Sequence, residues 1–229
     1  MINPLTFLRR TPLRRQLEAE GASWKSLSDA GIAETRADPA QARKLVMADL
    51  TPLPRLGFKG RGTIEAMKKR GVTVEPAPTR AFRQPDGGLC LVLAPGEVIL
   101  LSNLAGDGRR FDEMLATWRI EDEERTYPLL RRDSHAWFAI IGHDAPAMFS
   151  KLCGVDLSRG KFPDLAIAQT SIAKMSAIVT RADAGPVPRY HVLADSAAAL
   201  YFSSCLLDAG REFGARIVGI GAVEDAEKE

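Results

Sequence analysis

The sequence predicts an α+β fold of two pseudo-repeated β-α-β-β-α modules with mainly antiparallel sheets. One observation carries this prediction: residues 137–157 read as a strand, a glycine turn and an amphipathic helix, and residues 56–72 follow the same plan 82 residues earlier. Gly60 occupies the position of Gly142, and Met67 occupies that of Phe149. A fixed offset between two such segments indicates an internal duplication.

Strand-like runs follow the helix in the first half. Residues 88–102 contain two apolar runs divided by Pro95 and Gly96, which predicts a hairpin buried on both faces. Before this hairpin, residues 75–86 are rich in proline and arginine and predict an irregular loop. After it, Asp107 can cap a helix whose apolar residues recur at helical spacing.

The second half repeats this order. We expect a strand ending at Ile141 and, beyond the next helix, a long helix capped by Asp195. The remaining predicted elements are a helix at 144–153, a loop at 160–163 and strands near 171–181, 189–193 and 216–220.

The predicted domain organisation has three parts. Residues 1–54 form an N-terminal helical arm, with helices starting at Thr11 and Asp38, each followed by proline, and ending near residues 21 and 47. Residues 22–37 form a polar connector between these helices. Residues 55–220 form the repeated domain, with modules 55–120 and 126–220 joined by a charged connector at 121–125. Residues 221–229 form a disordered acidic tail.

Composition excludes several classes of protein. The cysteines Cys90, Cys153 and Cys205 are widely spaced in apolar contexts, which favours core packing over disulfides or zinc. No apolar run is long enough to span a bilayer and the start does not resemble a signal peptide, so we expect a cytoplasmic protein without a membrane partner. Residues 1–70 carry 14 Lys and Arg against 7 Asp and Glu. With few aromatic residues nearby, this skew favours a solvated face or an acidic protein partner over nucleic acid.

The chain contains little recognisable catalytic chemistry. His135, His143 and His191 have no ligand-type residue at metal-binding spacing on the same predicted element, so no metal site is expected. The glycines of residues 57–62 (GFKGRG) do not match the spacing of a dinucleotide fingerprint. The sequence therefore predicts no catalytic residue and assigns no cofactor-binding residue.

Several segments resemble the N-terminal region of the aminomethyltransferase of the glycine cleavage system, the T-protein. The segments are TPLRRQLEAEGA, ADLTPLPRLGFKG, QPDGGLCLVL and FAIIGHDAPAMFSKLCGVDL, and their order covers about residues 11–214. This resemblance implies the folate-binding fold of that family.

Two departures separate the chain from that family. The resemblance places the family's catalytic carboxylate after Gly87 and Gly88, where this chain has the apolar run LCLV. The family's RTGYTGE-like segment corresponds to residues 180–190, which read TRADAGPVPRY here. The family's C-terminal barrel domain and the cysteine motif of the related iron-sulfur maintenance proteins have no counterpart.

A shortened fold without the carboxylate, together with the segment DSHAWFAIIGHDAPAMFSKLCGVDLSRGKFP at 133–163, resembles the small gamma subunit of heterotetrameric sarcosine oxidase and the similar subunit of N-methylglutamate dehydrogenase. The resemblance implies a non-catalytic subunit with alpha-, beta- and delta-type partners. FAD, FMN, NAD and tetrahydrofolate are then expected in those partners, which oxidise the N-methyl amine and transfer its one-carbon unit. The alternative is a free-standing folate-binding protein or aminomethyltransferase-like enzyme, for which Asp86 is the nearest candidate carboxylate. Asp86 is also explained as a turn residue.

Overall fold

The computed structural model describes residues 2–27, 29–120, 124–183 and 185–226. The chain divides into two compact units. Unit 1 comprises Met1–Pro52, His135–Asp164 and Ala168–Glu229, and unit 2 comprises Leu53–Ser134 and Leu165–Ile167. Of the predicted N-terminal arm, residues 1–52 belong to unit 1 and residues 53–54 to unit 2. None of the helices in the described part of the chain has the length and apolarity needed to span a bilayer.

The first elements belong to unit 1. They are α1 (Arg14–Ala19), β1 (Trp24–Leu27), β2 (Ala30–Ala33), α2 (Pro39–Lys44) and β3 (Val46–Asp49). The predicted start signal at Asp38 is confirmed, because its carboxylate accepts the Ala40 N–H at 3.0 Å. At Thr11 the hydroxyl accepts the Leu13 N–H at 3.1 Å, but the helix begins later than predicted, at Arg14.

Two predictions for this region are wrong. The connector at 22–37 contains the antiparallel hairpin of β1 and β2. The helix predicted to reach residue 47 ends at Lys44, because residues from Val46 onward pair as a strand with residues far along the chain. Sheet pairing thus overrides the local helical pattern.

Unit 2 contains a first copy of the predicted module. Its elements are β4 (Arg55–Gly60), α3 (Thr63–Lys69), β5 (Arg80–Arg83), β6 (Leu89–Ala94), β7 (Glu97–Leu101), α4 (Arg109–Thr117) and β8 (Thr126–Leu129). The antiparallel sheet has the order β5-β6-β7-β4-β8. The hairpin predicted at 88–102 is confirmed, whereas the loop predicted at 75–86 contains β5, which pairs with β6. Buried residues of α3 and α4 pack with those of this sheet in one apolar cluster. In this cluster the ring of Trp118, at the end of α4, lies 4.5 Å from the ring of Phe58 in β4, measured between centroids.

The rest of unit 1 contains the second copy. Its elements are β9 (His135–Ile141), α5 (Ala145–Ser150), β10 (Ile167–Ile172), β11 (Met175–Arg181), β12 (Arg189–Asp195), α6 (Ala199–Ala209), β13 (Arg216–Val218) and α7 (Ile220–Ala226). The sheet has the order β10-β11-β12-β9-β3-β13, in which β13 runs parallel to β3. Its core is aromatic, with Phe138 stacked on Phe202 at 5.8 Å and Phe149 edge-on to Tyr190 at 5.4 Å.

Two more predictions for the second half need correction. The single strand predicted at 171–181 is a hairpin that turns at Ala173 and Lys174, with φ values of 51° and 64°. The tail predicted to be disordered from residue 221 is helical through Ala226, and an ion pair of 2.7 Å joins Glu224 to Lys25. Residues 227–229 of that tail and 121–123 of the predicted connector lie outside the described residues.

The strand, glycine and helix plan is confirmed in both units, and each glycine has a steric cause. Gly60 has φ 157° and Gly142 has φ 133°. A Cβ at Gly60 would overlap the carbonyl oxygen of Arg125, the residue before β8. A Cβ at Gly142 would overlap that of Lys44, just before β3. The strand beside each glycine therefore requires the absence of a side chain.

Candidate functional site

Strand β6 lies where the resemblance places a catalytic carboxylate. It is flanked by β5 and β7, and Leu89, Cys90, Leu91 and Val92 are all buried. Burial raises the pKa of the Cys90 thiol to about 12, so the thiol stays protonated at neutral pH. The strand has neither a carboxylate nor an active thiolate to offer a substrate.

Asp86 is held in the turn that precedes β6. Its Oδ1 accepts the Gly88 N–H at 2.9 Å, and its carbonyl oxygen accepts the Asn103 side-chain amide at 2.9 Å. Gly87 adopts φ 87°, a conformation that suits glycine. Arg110 approaches the second carboxylate oxygen at 3.9 Å. The carboxylate therefore acts as a turn-forming group, as the simpler interpretation predicts.

The segment corresponding to the RTGYTGE-like motif holds loops of unit 1 together. The buried Arg181 donates through Nε to both carboxylate oxygens of Asp183, at 3.0 and 3.1 Å. Its Nη1 donates to the carbonyl oxygens of Phe162 at 2.9 Å and Arg159 at 3.2 Å. The hydrogen bond with Asp183 raises the pKa of Arg181.

Tyr190 completes this arrangement. Its hydroxyl donates to the Leu157 carbonyl oxygen at 2.7 Å, and burial raises the pKa of the phenol to about 12. A phenol with this pKa remains protonated and serves as a donor to the backbone. The ionisable side chains of this segment therefore stabilise the loop at 156–164 and fix Asp183 just after β11.

A series of buried, hydrogen-bonded polar groups in unit 1 was not predicted from the sequence. Asp49 accepts hydrogen bonds from the Thr11 hydroxyl and, at 3.0 Å, from the Thr51 N–H. The Thr51 hydroxyl accepts the Trp137 N–H at 3.1 Å, and the Trp137 indole donates to His191 Nδ1 at 3.0 Å. The signal that could have found this series is the Asp-Leu-Thr run at the end of β3. It joins the N-terminal residues to the middle of the sheet.

The other histidines are separated by the fold. His143 is exposed at the start of α5, and His135 begins β9. His135 lines a shallow groove of about 470 Å³ together with Lys174 and the polar face of β10. Within the described residues, no three His, Cys, Asp or Glu side chains are placed to hold a metal ion.

Comparison with known proteins identifies the architecture. Neither a protein-family model nor a curated protein sequence matches the chain. A chain of the heterotetrameric sarcosine oxidase from Corynebacterium sp. U-96, solved in complex with pyrrole 2-carboxylate, matches with a TM-score of 0.68 at 19% identity. The match covers 91% of this chain and 98% of that chain.

A second match is the glycine cleavage system aminomethyltransferase T from Bartonella henselae. It has a TM-score of 0.73 at 14% identity and covers 96% of this chain but 62% of that chain. The chain has an aminomethyltransferase-like fold. This aminomethyltransferase-like fold confirms the architecture that the resemblance implied. The present chain matches almost the whole of the sarcosine oxidase chain but only part of the aminomethyltransferase chain.

Proposed function

We propose that the chain is a small gamma-type, non-catalytic subunit of a heterotetrameric complex of the sarcosine oxidase type. Such a complex oxidatively demethylates N-methyl amino acids and transfers the one-carbon unit to tetrahydrofolate. The observation that carries the proposal is the apolar β6, with its buried run from Leu89 to Val92. It occurs in a fold that matches 98% of a sarcosine oxidase chain over 91% of this chain.

The site geometry supports a role without catalysis. The carboxylate of Asp86 closes a turn, and Asp183 is engaged by the guanidinium of Arg181. A general acid or base must reach the proton that it transfers. These carboxylates are instead positioned by the backbone and by neighbouring arginines, where they stabilise the fold.

Assembly with larger subunits would supply the chemistry. We expect alpha-, beta- and delta-type partners in the cytoplasm, with FAD, FMN, NAD and tetrahydrofolate bound in those partners. The exposure of large apolar side chains supports such an assembly, since Leu8 is 86% exposed and Leu5, three residues before it, is 53% exposed. Exposed apolar groups of this size are typical of interaction surfaces when several lie together.

Co-expression with the three larger subunits, one of them tagged, tests the proposal. The chain should co-purify in a fixed stoichiometric ratio with the flavin absorbance of its partners. A stable monomer that never associates with the flavoprotein subunits would contradict the proposal.

Calorimetry with tetrahydrofolate on the isolated chain distinguishes the proposed subunit role from the alternative, a free-standing folate-binding protein or aminomethyltransferase-like enzyme. We expect no binding heat from the wild-type chain. Tight stoichiometric binding that is lost in Asp86→Asn would instead favour the alternative, because Asp86 is its candidate carboxylate.

A further inference from the structure

The N-terminal residues are fixed to unit 1 through one side of the segment. Pro4, Thr11 and Leu13 are buried, and the Phe7 ring lies so close to Gly31 of β2 that a Cβ there would stand 2.6 Å from it. The Arg9 N–H donates to the Asp29 carbonyl oxygen at 3.1 Å, and the two side chains form an ion pair at 3.4 Å. The segment is therefore an ordered part of the fold.

The other side of the segment presents apolar groups to solvent. Leu8 is 86% exposed, Leu5 is 53% exposed and Ile2 is 42% exposed. Single exposed apolar residues are ordinary, but three within seven residues of an anchored backbone concentrate apolar surface in one short segment. Because the buried residues already anchor the segment, folding of this chain does not account for the apolar side chains that remain exposed.

Positive charge accompanies these exposed residues along the chain. Residues 2–17 contain four arginines and no aspartate or glutamate. Arg9 is paired with Asp29 and Arg14 with Glu18, whereas Arg10 and Arg15 are exposed and have no ion pair among the described residues. We call Ile2, Leu5, Leu8, Arg10 and Arg15 the N-terminal strip.

We propose that the N-terminal strip is the docking edge for a larger subunit of the complex, which presents an apolar recess bordered by aspartate and glutamate. This inference rests on the proposed function. Leu5 and Leu8 would fill the recess, and the two guanidinium groups would form bidentate pairs with carboxylates at its rim. Electrostatic complementarity of this kind determines which partner binds and how fast.

The charges of the strip argue against two other occupants. A second copy docked through the same face would offer no carboxylate to Arg10 and Arg15, because a two-fold interface pairs the strip with itself and the strip contains no acidic residue. A membrane surface is normally bound by an amphipathic helix, and the helical part of this segment is the single turn Pro4–Thr6.

The test uses the full chain co-expressed with the three larger subunits. Leu5→Asp with Leu8→Asp should reduce co-purification by about tenfold or more, which is the loss expected for one central contact. Its melting curve should match the wild type, because both side chains are exposed. Leu200→Asp is the matched control, since Leu200 is 55% exposed on α6 outside the strip and should leave assembly unchanged.

Charge reversal is an independent variant. Arg10→Glu with Arg15→Glu should weaken assembly and reduce its dependence on salt concentration, because screened ion pairs are lost. This variant decides the question if the leucine variant proves to be unfolded.

Each outcome has a defined meaning. If wild type and both strip variants co-purify equally, the docking inference is wrong while the proposed function stands. If wild type itself fails to co-purify, both are wrong. A dimer that the leucine variant converts to a monomer in the ultracentrifuge would identify a second copy as the occupant. Sedimentation of wild type, but not of the variant, with vesicles of phosphatidylglycerol and phosphatidylcholine would identify a membrane. Either result would overturn the inference.

Discussion

The glycine steps at Gly60 and Gly142 show which part of a repeated motif is fixed by the backbone. Both glycines have positive φ, and both lie against the carbonyl oxygen of a residue just before a neighbouring strand. The helices that follow begin differently. Thr63 of α3 places its hydroxyl 2.8 Å from the Gly60 carbonyl oxygen, whereas its counterpart in α5 is Ala145, in a first turn that contains proline. Backbone crowding thus determines the turn, whereas the first helical side chain after it differs between the two copies.

The two units bury different polar groups beside their apolar cores. Unit 2 has an apolar cluster around Phe58 and Trp118 and also buries Glu124 near the start of β8. Unit 1 buries Asp49 and His191 in its sheet. The same motif therefore carries buried polar groups at different positions in its two copies, so the fold alone does not place a reactive group in β6.

The largest expected effect comes from truncating the helix residue that both modules bury. Phe149→Ala should lower the free energy of unfolding by about 3–5 kcal/mol, and Met67→Ala by about 2–5 kcal/mol, because both side chains are fully buried. Urea unfolding of the isolated chain measures both. Leu200→Ala, at an exposed position, is the control and should change stability little. A pair of variants as stable as that control would show that these helix faces are not core.

Replacing either glycine should have the next largest effect. Gly142→Val and Gly60→Val should each lower the free energy of unfolding by about 1–3 kcal/mol, since both require a conformation that side chains oppose. Gly154→Val is a suitable control, because no atom lies within 4 Å of a Cβ there. Thermal melts compare the three variants. If Gly142→Val and Gly154→Val have the same melting temperature, steric crowding does not determine the backbone conformation at Gly142.

A smaller effect should follow from making the two helix starts alike. Thr63→Ala gives α3 the residue that α5 has at the same offset. The hydroxyl lies 2.8 Å from the Gly60 carbonyl oxygen and 3.1 Å from that of Gly96, so its loss should destabilise by about 1 kcal/mol. Thr63→Ser, which keeps the hydroxyl, should retain more of the stability in the same urea titration. Equal losses in both variants would assign the effect to the methyl group.

The smallest effect should come from removing the charge of Glu124 in unit 2, and it should depend on pH. Glu124 accepts hydrogen bonds from Lys69 at 3.0 Å and Arg70 at 3.2 Å, and these partners, Lys69 first, lower its pKa. A lowered pKa gives stability that is present above the unfolded value of about 4.3 and is lost as the pH falls through the folded value. Glu124→Gln should therefore lower the melting temperature at pH 7 and have little effect near pH 3.

The control for this pH dependence is Glu75→Gln. Its partner pair with Lys68 is exposed, and such pairs contribute little. A difference between Glu124→Gln and wild type that stays constant from pH 7 to pH 3 would mean that ionisation of this carboxylate is not the cause.

Local patterns in the sequence predicted the elements that are determined locally. The glycine steps, the hairpin around Pro95 and Gly96 and the capping role of Asp38 follow from turn and cap chemistry, and the structure confirms them. The turn role of Asp86 was also accessible, because an aspartate before two glycines favours such a turn.

The missed elements depend on distant partners. Val46–Asp49 is a strand because it pairs with Phe138 to Ile141, and the sequence around it resembles the end of a helix. Thr126–Leu129 contains Pro128, which argues against a strand except at an edge, the place it occupies beside β4. The buried chain from Asp49 to His191 was missed for the same reason, since its members meet only in the folded sheet.

The position of β3 in the chain has a consequence during synthesis. Asp49 is translated 89 residues before Phe138, the residue opposite it in the sheet. At a synthesis rate of about 5–20 residues per second, β3 waits roughly 4–18 s for its neighbour β9. Residues 53–134, which form a compact unit almost by themselves, are complete before then. During synthesis the sheet of unit 1 can therefore form only after residues 53–134 have been made, although β3, one of its inner strands, is among the first strands of the chain.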